Sequence, residues 1–322
     1  MEQKNNKISV STKEGFALGL LNAGELYENV FAIGTDITNS VGMNYFRDRF
    51  PERFFSVGIA EQNAAGIAAG LALMGKIPVF STYAVFSALR AADQIRVSIC
   101  YNNLHVIIGG AHAGISVGPD GATHQALEDI SIMRALPNMT VVSPCDATQA
   151  RIALMACVEN VSGPVYFRYG RDDVPDFSSE TQYFEIGKGQ ILSSGNDVCI
   201  IATGHMTWHA MQAASILSKM NIEAMVINIH TVKPLDNEII ISAAEYCGAI
   251  VCCEEHQIAG GLGSAVSELL SQNFPVPIEF IGMKDSFGES GSPKELMNKY
   301  FLTMQAIVDV THKVLQRKRF RK

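Results

Sequence analysis

SVGIAEQN (Ser56–Asn63), AAGIAAGLALMG (Ala64–Gly75) and KIPVFSTYAVFSALRAADQ (Lys76–Gln94) form one continuous run, and VGPDGATHQ (Val117–Gln125) follows it. FFSV (Phe54–Val57) reads as a buried strand. A helix starts near Glu61, and its Ala64, Ala65, Gly66, Ala68, Ala69 and Gly70 offer a surface for close packing. IPVF (Ile77–Phe80) is the next strand, with Tyr83 and Phe86 at its exit. LHVIIGG (Leu104–Gly110) is the third, and its exit carries His112, Asp120 and His124. Ligands of open α/β sheets sit outside the carboxyl ends of the strands, so the three clusters are expected to face one crevice.

The same alternation extends in both directions. Ser11-Thr-Lys-Glu14 reads as a capping box opening a first helix. VFAIG (Val30–Gly34) is a strand, followed by a loop to Glu52, and TVVSP (Thr140–Pro144) and GPVYFRYG (Gly163–Gly170) continue the pattern. The polar, acidic stretch Arg171–Gln182 reads as a linker. A second alternation follows: GKGQIL, DVCIIATG (Asp197–Gly204), a helix to Met220, AMVINI (Ala224–Ile229), AIVCCEE (Ala249–Glu255), a helix from Gly263, and PIEFIG (Pro277–Gly282). This predicts a doubly wound, mostly parallel α/β sheet domain over 1–178 and a smaller α/β domain over 179–322.

The 322 residues suffice for two cores, and apolar residues at 48% with charged residues at 18% describe a packed enzyme-like chain. A net charge of −7 argues against nucleic acid as a partner. The one basic run, Lys313–Lys322, reads as a solvated helix end. Seven cysteines without a CxxC spacing suggest buried, reduced thiols and a cytoplasmic protein. The N-terminus has no apolar signal core, and no run is long enough to span a membrane.

Taken jointly, the three clusters closely resemble the pyrimidine-binding half of the transketolases, which are thiamin-diphosphate enzymes. The second half, with EEH-x(4)-GLGSAV at Glu254–Val266, resembles the transketolase C-terminal domain. The resemblance covers nearly the whole chain. It implies that Glu61 hydrogen-bonds N1′ of the cofactor's aminopyrimidine and promotes its imino form by sharing a proton, while Tyr83 and Phe86 stack on that ring. Burial in an apolar pocket is expected to favour the sharing. It further implies that Asp120 and His124 handle substrate hydroxyls and the reacting carbonyl oxygen. His112, Ser40, Arg171 and Lys13 are implied at the substrate's terminal anion, phosphate or otherwise. Lys13 stands where the family commonly has arginine, and a point charge cannot give bidentate recognition. Leu89 stands where yeast-type relatives have a third aromatic.

Each residue also has a plainer reading. Glu61 suits a helix N-terminus. Tyr83 and Phe86 could be core aromatics, and His112, Asp120 and His124 a polar turn. The spacing of the last three matches no common zinc pattern, so no metal ligand is assigned in this chain. His205, His209, His230 and His256 read as packing or surface residues.

Transketolases bind the diphosphate and its divalent ion through a module with GDG and a downstream Asn, and the only DG here is Asp120-Gly121. The resemblance therefore implies one subunit of a split transketolase in carbohydrate metabolism of the pentose phosphate type. Its partner would be an N-terminal subunit carrying GDG–Asn and Mg²⁺, in an α2β2 heterotetramer acting on sugar phosphates. Two related enzymes compete: a 1-deoxyxylulose-5-phosphate synthase, in which Thr lies closer to R-A-x-D-Q, and a 2-oxo-acid dehydrogenase beta subunit, which generally lacks DG-x-THQ. A non-catalytic scaffold is the reading of another class.

Overall fold

The computed structural model describes residues 8–319, so the first seven residues and the last three of the basic run lie outside the described residues. After β1 (Ser9–Ser11), α1 (Thr12–Leu26) is capped by Ser11, whose side chain accepts from the Glu14 amide. Only this half of the capping box forms, because the Glu14 carboxylate accepts from the Tyr45 hydroxyl instead. Beyond β2 (Val30–Gly34) the chain is not plain loop: it holds α2 (Asn44–Arg49) and a 3₁₀ turn at Pro51–Arg53. Phe46 and Phe50, one helical turn apart, sink together into the core against Gly24, where any Cβ would strike both rings.

β3 (Phe54–Ser56) forms, but at a sheet edge with one neighbour, so Phe55 and Ser56 are exposed rather than buried. α3 (Glu61–Leu73) then leads to β4 (Ile77–Tyr83). The small residues of α3 divide between two faces. Ala64, Ala65, Ala68 and Ala69 are buried, whereas Gly66 and Gly70 face outward beside exposed Leu73 and Met74. A π-helical turn Phe86–Arg90, α4 (Ala92–Gln94) and a second π-helical turn Ile95–Cys100 lead to β5 (Ile107–Ala111). A 3₁₀ stretch Ile115–Asp120 and α5 (Asp129–Ala135) precede β6 (Thr140–Val142), α6 (Ala147–Asn160), β7 (Val165–Arg168) and β8 (Asp173–Pro175).

The second half runs β9 (Gln190–Ser193), β10 (Val198–Ala202), α7 (Met206–Ser218), β11 (Ala224–Asn228), β12 (Thr231–Lys233) and α8 (Asn237–Cys247). It ends with β13 (Ile250–Gln257), α9 (Leu262–Asn273), β14 (Ile278–Met283), α10 (Pro293–Lys299) and α11 (Met304–Arg319).

Two twisted sheets organise these elements. The larger has the order β12-β6-β7-β5-β4-β2-β3 and is parallel except for β12; the smaller is β14-β13-β10-β11-β9, parallel except for β9. Both are covered on both faces, which is why their central strands read as continuous apolar runs. Alternation persists within such runs. In β10, Val198, Ile200 and Ala202 join one core and Cys199 and Ile201 the other.

Two local expectations change, and one strand of the second half lies outside them. The acidic stretch after Gly170 is not a free linker, because β8 pairs antiparallel with β1 and Asp146 accepts from the Phe177 and Ser178 amides. β12 leaves the second half to pair with β6 in the first sheet. The basic run is not simply solvated. Lys318 donates to the Asp197 and Cys247 carbonyls, and Lys313 and Arg317 both pair with Glu279, fastening α11 across the sheet. All seven cysteines are free and buried.

Candidate active site

Glu61 is the first residue of α3 and only 2% exposed. A helix start places its carboxylate at the positive end of the helix dipole. One oxygen accepts from the Thr82 hydroxyl at 3.3 Å, and the other from Arg90 Nη1 at 2.9 Å. The Arg90 guanidinium also lies over the Phe86 ring, 4.3 Å from its centroid. The surroundings of Glu61 are therefore not purely apolar as anticipated: a cation sits on the carboxylate. Thr82 and Arg90 were not singled out from the sequence as site residues. Arg90 was accessible to it, since a cation four residues after an aromatic on a helical segment falls over the ring.

Tyr83 ends β4 and joins His112 to Ser40. Its ring stacks on His112 at 4.6 Å and 25°, and its hydroxyl is 2.9 Å from Ser40 Oγ. Phe86 lies 5.9 Å from Tyr83, and His124 stands edge-on to both, at 5.6 Å from Tyr83 and 5.4 Å from Phe86. The Thr123 hydroxyl lies 2.9 Å from His124 Nδ1.

His112 adopts φ +52° immediately after β5, which turns its ring back over the strand ends. Burial, then the nearby charges of Arg171 and Lys13, push it down to about 4. Neither ring nitrogen makes a hydrogen bond of good geometry among the described residues, although the Ser40 backbone is close enough to favour the protonated ring. Asp120 accepts from Arg171 Nη1 at 3.3 and 3.4 Å. Ring contacts thus join Tyr83, Phe86, His112 and His124, Arg90 links Glu61 to Phe86, Ser40 meets Tyr83, and the charges of Arg171, Lys13 and Asp120 act on His112.

The second domain grips the loop that bears these groups. Glu255 Oε1 accepts from the Ser116 amide at 2.7 Å, and Gly114, at φ +88°, leaves room for that carboxylate where a Cβ would collide with it. Gln125 donates to the Glu289 carbonyl, and Ser290 to that of Pro119. His205 lies 3.5 Å from Glu255, and His230 stacks on Phe184 at 4.2 Å. Burial holds both of these rings down, to about 4.

Residues 8–176 match the family described as "Transketolase, pyrimidine binding domain", and residues 187–307 match "Transketolase, C-terminal domain". The chain belongs to the transketolase family. This transketolase-type chain is 40% identical to a 6-deoxy-6-sulfo-D-fructose transketolase subunit of Clostridium sp. (strain MSTE9), over 94% of both chains. It is 38% identical to one of the subunits of an apulose-4-phosphate transketolase of Phocaeicola vulgatus, over 92% of this chain and 95% of that one. Among solved structures, one titled "Split gene transketolase, inactive beta4 tetramer" superposes with a TM-score of 0.90 at 44% identity, covering 96% of this chain and 99% of that one. 1-Deoxy-D-xylulose-5-phosphate synthases are family relatives too; the one from Desulforudis audaxviator is 39% identical over 93% of this chain, which matches 47% of its length.

This transketolase chain is one subunit of a split, thiamin-diphosphate-dependent transferase. Its pocket suits a flat aromatic ring bearing hydrogen-bond donors, because a planar, donating group (the Arg90 guanidinium) already fits between the Phe86 face and the Glu61 carboxylate. Among the described residues no group of three or more His, Cys, Asp or Glu side chains could hold a metal, and no helix is long and apolar enough to cross a membrane.

Proposed function

We propose that this subunit, joined to its partner, transfers a two-carbon ketol unit from a ketose donor to an aldose acceptor, both carrying a terminal anion. Thiamin diphosphate, when bound, supplies the nucleophilic carbon that takes up the unit. The observation that carries the reading is one cluster of contacts: the Glu61 carboxylate and the Phe86 face, with Tyr83 and His124 beside them, lead on to His112 and Ser40, and the charges of Arg171 and Lys13 act on His112. Glu61 shares a proton with N1′ of the aminopyrimidine and so favours its imino form. Phe86 offers the ring a face, with Tyr83 beside it. His124 and Asp120 bind the hydroxyls and the reacting carbonyl oxygen of the sugar. The remaining four residues meet its terminal anion, and relatives named for a sulfosugar and for a sugar phosphate support an anion there.

Mg²⁺ and the diphosphate are held by the partner subunit through GDG–Asn, since Mg²⁺ favours phosphate oxygens with few protein ligands. The apolar residues Ile59, Leu73 and Met74, all above 70% exposed around α3, support a chain contact at that face of an α2β2 assembly. The chain divides near 178/179 into pyrimidine-binding and C-terminal domains. Seven unpaired thiols support a cytoplasmic setting, and the fold a role in pentose-phosphate-type metabolism. The test is to purify the chain alone and with its N-terminal partner, then assay ketose–aldose pairs with phosphate or sulfonate ends. Turnover is expected only with the partner. Robust turnover by the chain alone, at a purity verified by mass spectrometry, would overturn the split-subunit reading.

A further inference from the structure

Arg90 makes both of the contacts that the functional reading gives to the cofactor ring. Its planar guanidinium covers the face of Phe86 at 4.3 Å, and its Nη1 donates to Glu61 Oε2 at 2.9 Å. A flat ring stacked on this face of Phe86 and hydrogen-bonded to Glu61 Oε2 competes with the guanidinium for both. We infer that Arg90 is an internal ligand of the pyrimidine pocket, so that thiamin diphosphate enters by exchange with it rather than by filling open space.

The physical case rests on what each state does with a buried carboxylate. Glu61 is 2% exposed, and leaving such a group without a partner is costly. Thr82 satisfies one oxygen, while the other lies against the guanidinium. The pairing holds the carboxylate in place. Arg90 is also built to leave. Its side chain is 47% exposed, its one ion pair among the described residues is with Glu61, and exposed Asp93 lies three residues on, in α4. Release moves the guanidinium into water, where its solvation is cheap, and frees the carboxylate for a group that can share a proton with it. An arginine cannot share one in the working pH range.

This inference rests on the assignment of Glu61 and Phe86 to the cofactor, and its test keeps the two apart. Thiamin diphosphate with Mg²⁺ is titrated by calorimetry into the complex of this chain and its partner, as wild type, Arg90→Lys, Arg90→Met and Glu61→Gln. Arg90→Met keeps the length and removes the donor and the planar cation. It should bind about tenfold more tightly, the scale of one charge-assisted hydrogen bond partly screened by water. Arg90→Lys, which can pair with Glu61 but cannot stack in the same way, should fall between the two. An Arg90→Met affinity equal to or weaker than wild type overturns the inference while leaving the site assignment intact, provided Glu61→Gln still alters binding. If neither Glu61→Gln nor Arg90→Met changes binding, the assignment itself fails and the inference with it.

Discussion

The hydroxyls of Tyr83 and Ser40 lie 2.9 Å apart, tying the end of the β4 strand to the loop after β2. One aromatic side chain thereby has its ring against His112 and its tip on Ser40, a residue proposed to meet the substrate's anion. Tyr83→Phe keeps the ring and removes the tie. For a substrate with a terminal anion we expect KM to rise about five- to tenfold at nearly constant kcat, the worth of one hydrogen bond. Steady-state kinetics of the reconstituted enzyme check this, and a loss confined to kcat would count against the assignment.

Glu61→Gln retains the shape of the side chain but cannot share a proton. Turnover of the reconstituted enzyme is expected to fall by roughly a hundred- to ten-thousand-fold, the range of a general acid–base contribution. Circular dichroism should show an unchanged fold. A loss below about tenfold, the first decade of that range, would remove Glu61 from the chemistry.

Arg171→Ala removes a charge from the anion-facing end. Its effect should fall on KM, by about 1.5–3 kcal/mol for an anionic substrate, and be much smaller for the uncharged analogue. Equal effects on both would mean that Arg171 and Asp120 are merely a surface pair. Lys13→Arg reads the shape of the anion: arginine should be tolerated or improve KM for a phosphate, whose geometry suits its fork, and weaken binding of a differently shaped anion.

Arg168 donates from Nε to Asp129 Oδ2 at 2.8 Å, the Tyr166 hydroxyl donates to the same oxygen, and Arg168 also reaches the Glu255 carbonyl of the second domain. Asp129→Ala leaves a buried guanidinium with carbonyl acceptors but without its ion-pair partner, and should cost about 3–5 kcal/mol. Urea unfolding measures this directly. A change under about 1 kcal/mol, the usual range of an exposed pair, would show that the network is more hydrated than its burial indicates.

His112, His205 and His230 are each held down to about 4 from 6.5, first by burial. The unfolded chain takes up their protons near pH 6.5, and the folded chain does so only near pH 4. Their contribution to stability is therefore complete above pH 6.5 and is lost as the pH falls towards 4. Each proton not taken up by the folded state contributes a slope of about 1.4 kcal/mol per pH unit at most. Urea midpoints between pH 7.5 and 5 should fall accordingly, and His230→Gln should reduce the slope. A flat profile for the wild type would contradict the neutral buried rings.

The central strands were legible because sheet covered on both faces demands continuous apolar sequence, as VCIIA in β10 and IIGG in β5 supply. The exposure of Phe55 was not, since an edge strand and a central one carry the same local pattern. β8 and β12 were missed because neither carries an apolar run like FFSV or TVVSP, and each exists through its pairing with a distant partner, β1 or β6. At the candidate site, residue types and strand exits could be read, but which side chains touch could not. The stacking of Tyr83 on His112 depends on a positive φ at residue 112 that no local signal announces.

The place of β12 also bears on the order of synthesis. The first domain cannot close its sheet until Lys233 has emerged, well after the last of its other strands. Until then β6, with Val141 and Val142, is an open edge of the kind that recruits other chains. The chain therefore cannot be cut between its two domains without baring that edge. A fragment ending at residue 178 should self-associate, as sedimentation would reveal, and supplying the remainder as a separate chain should suppress the association.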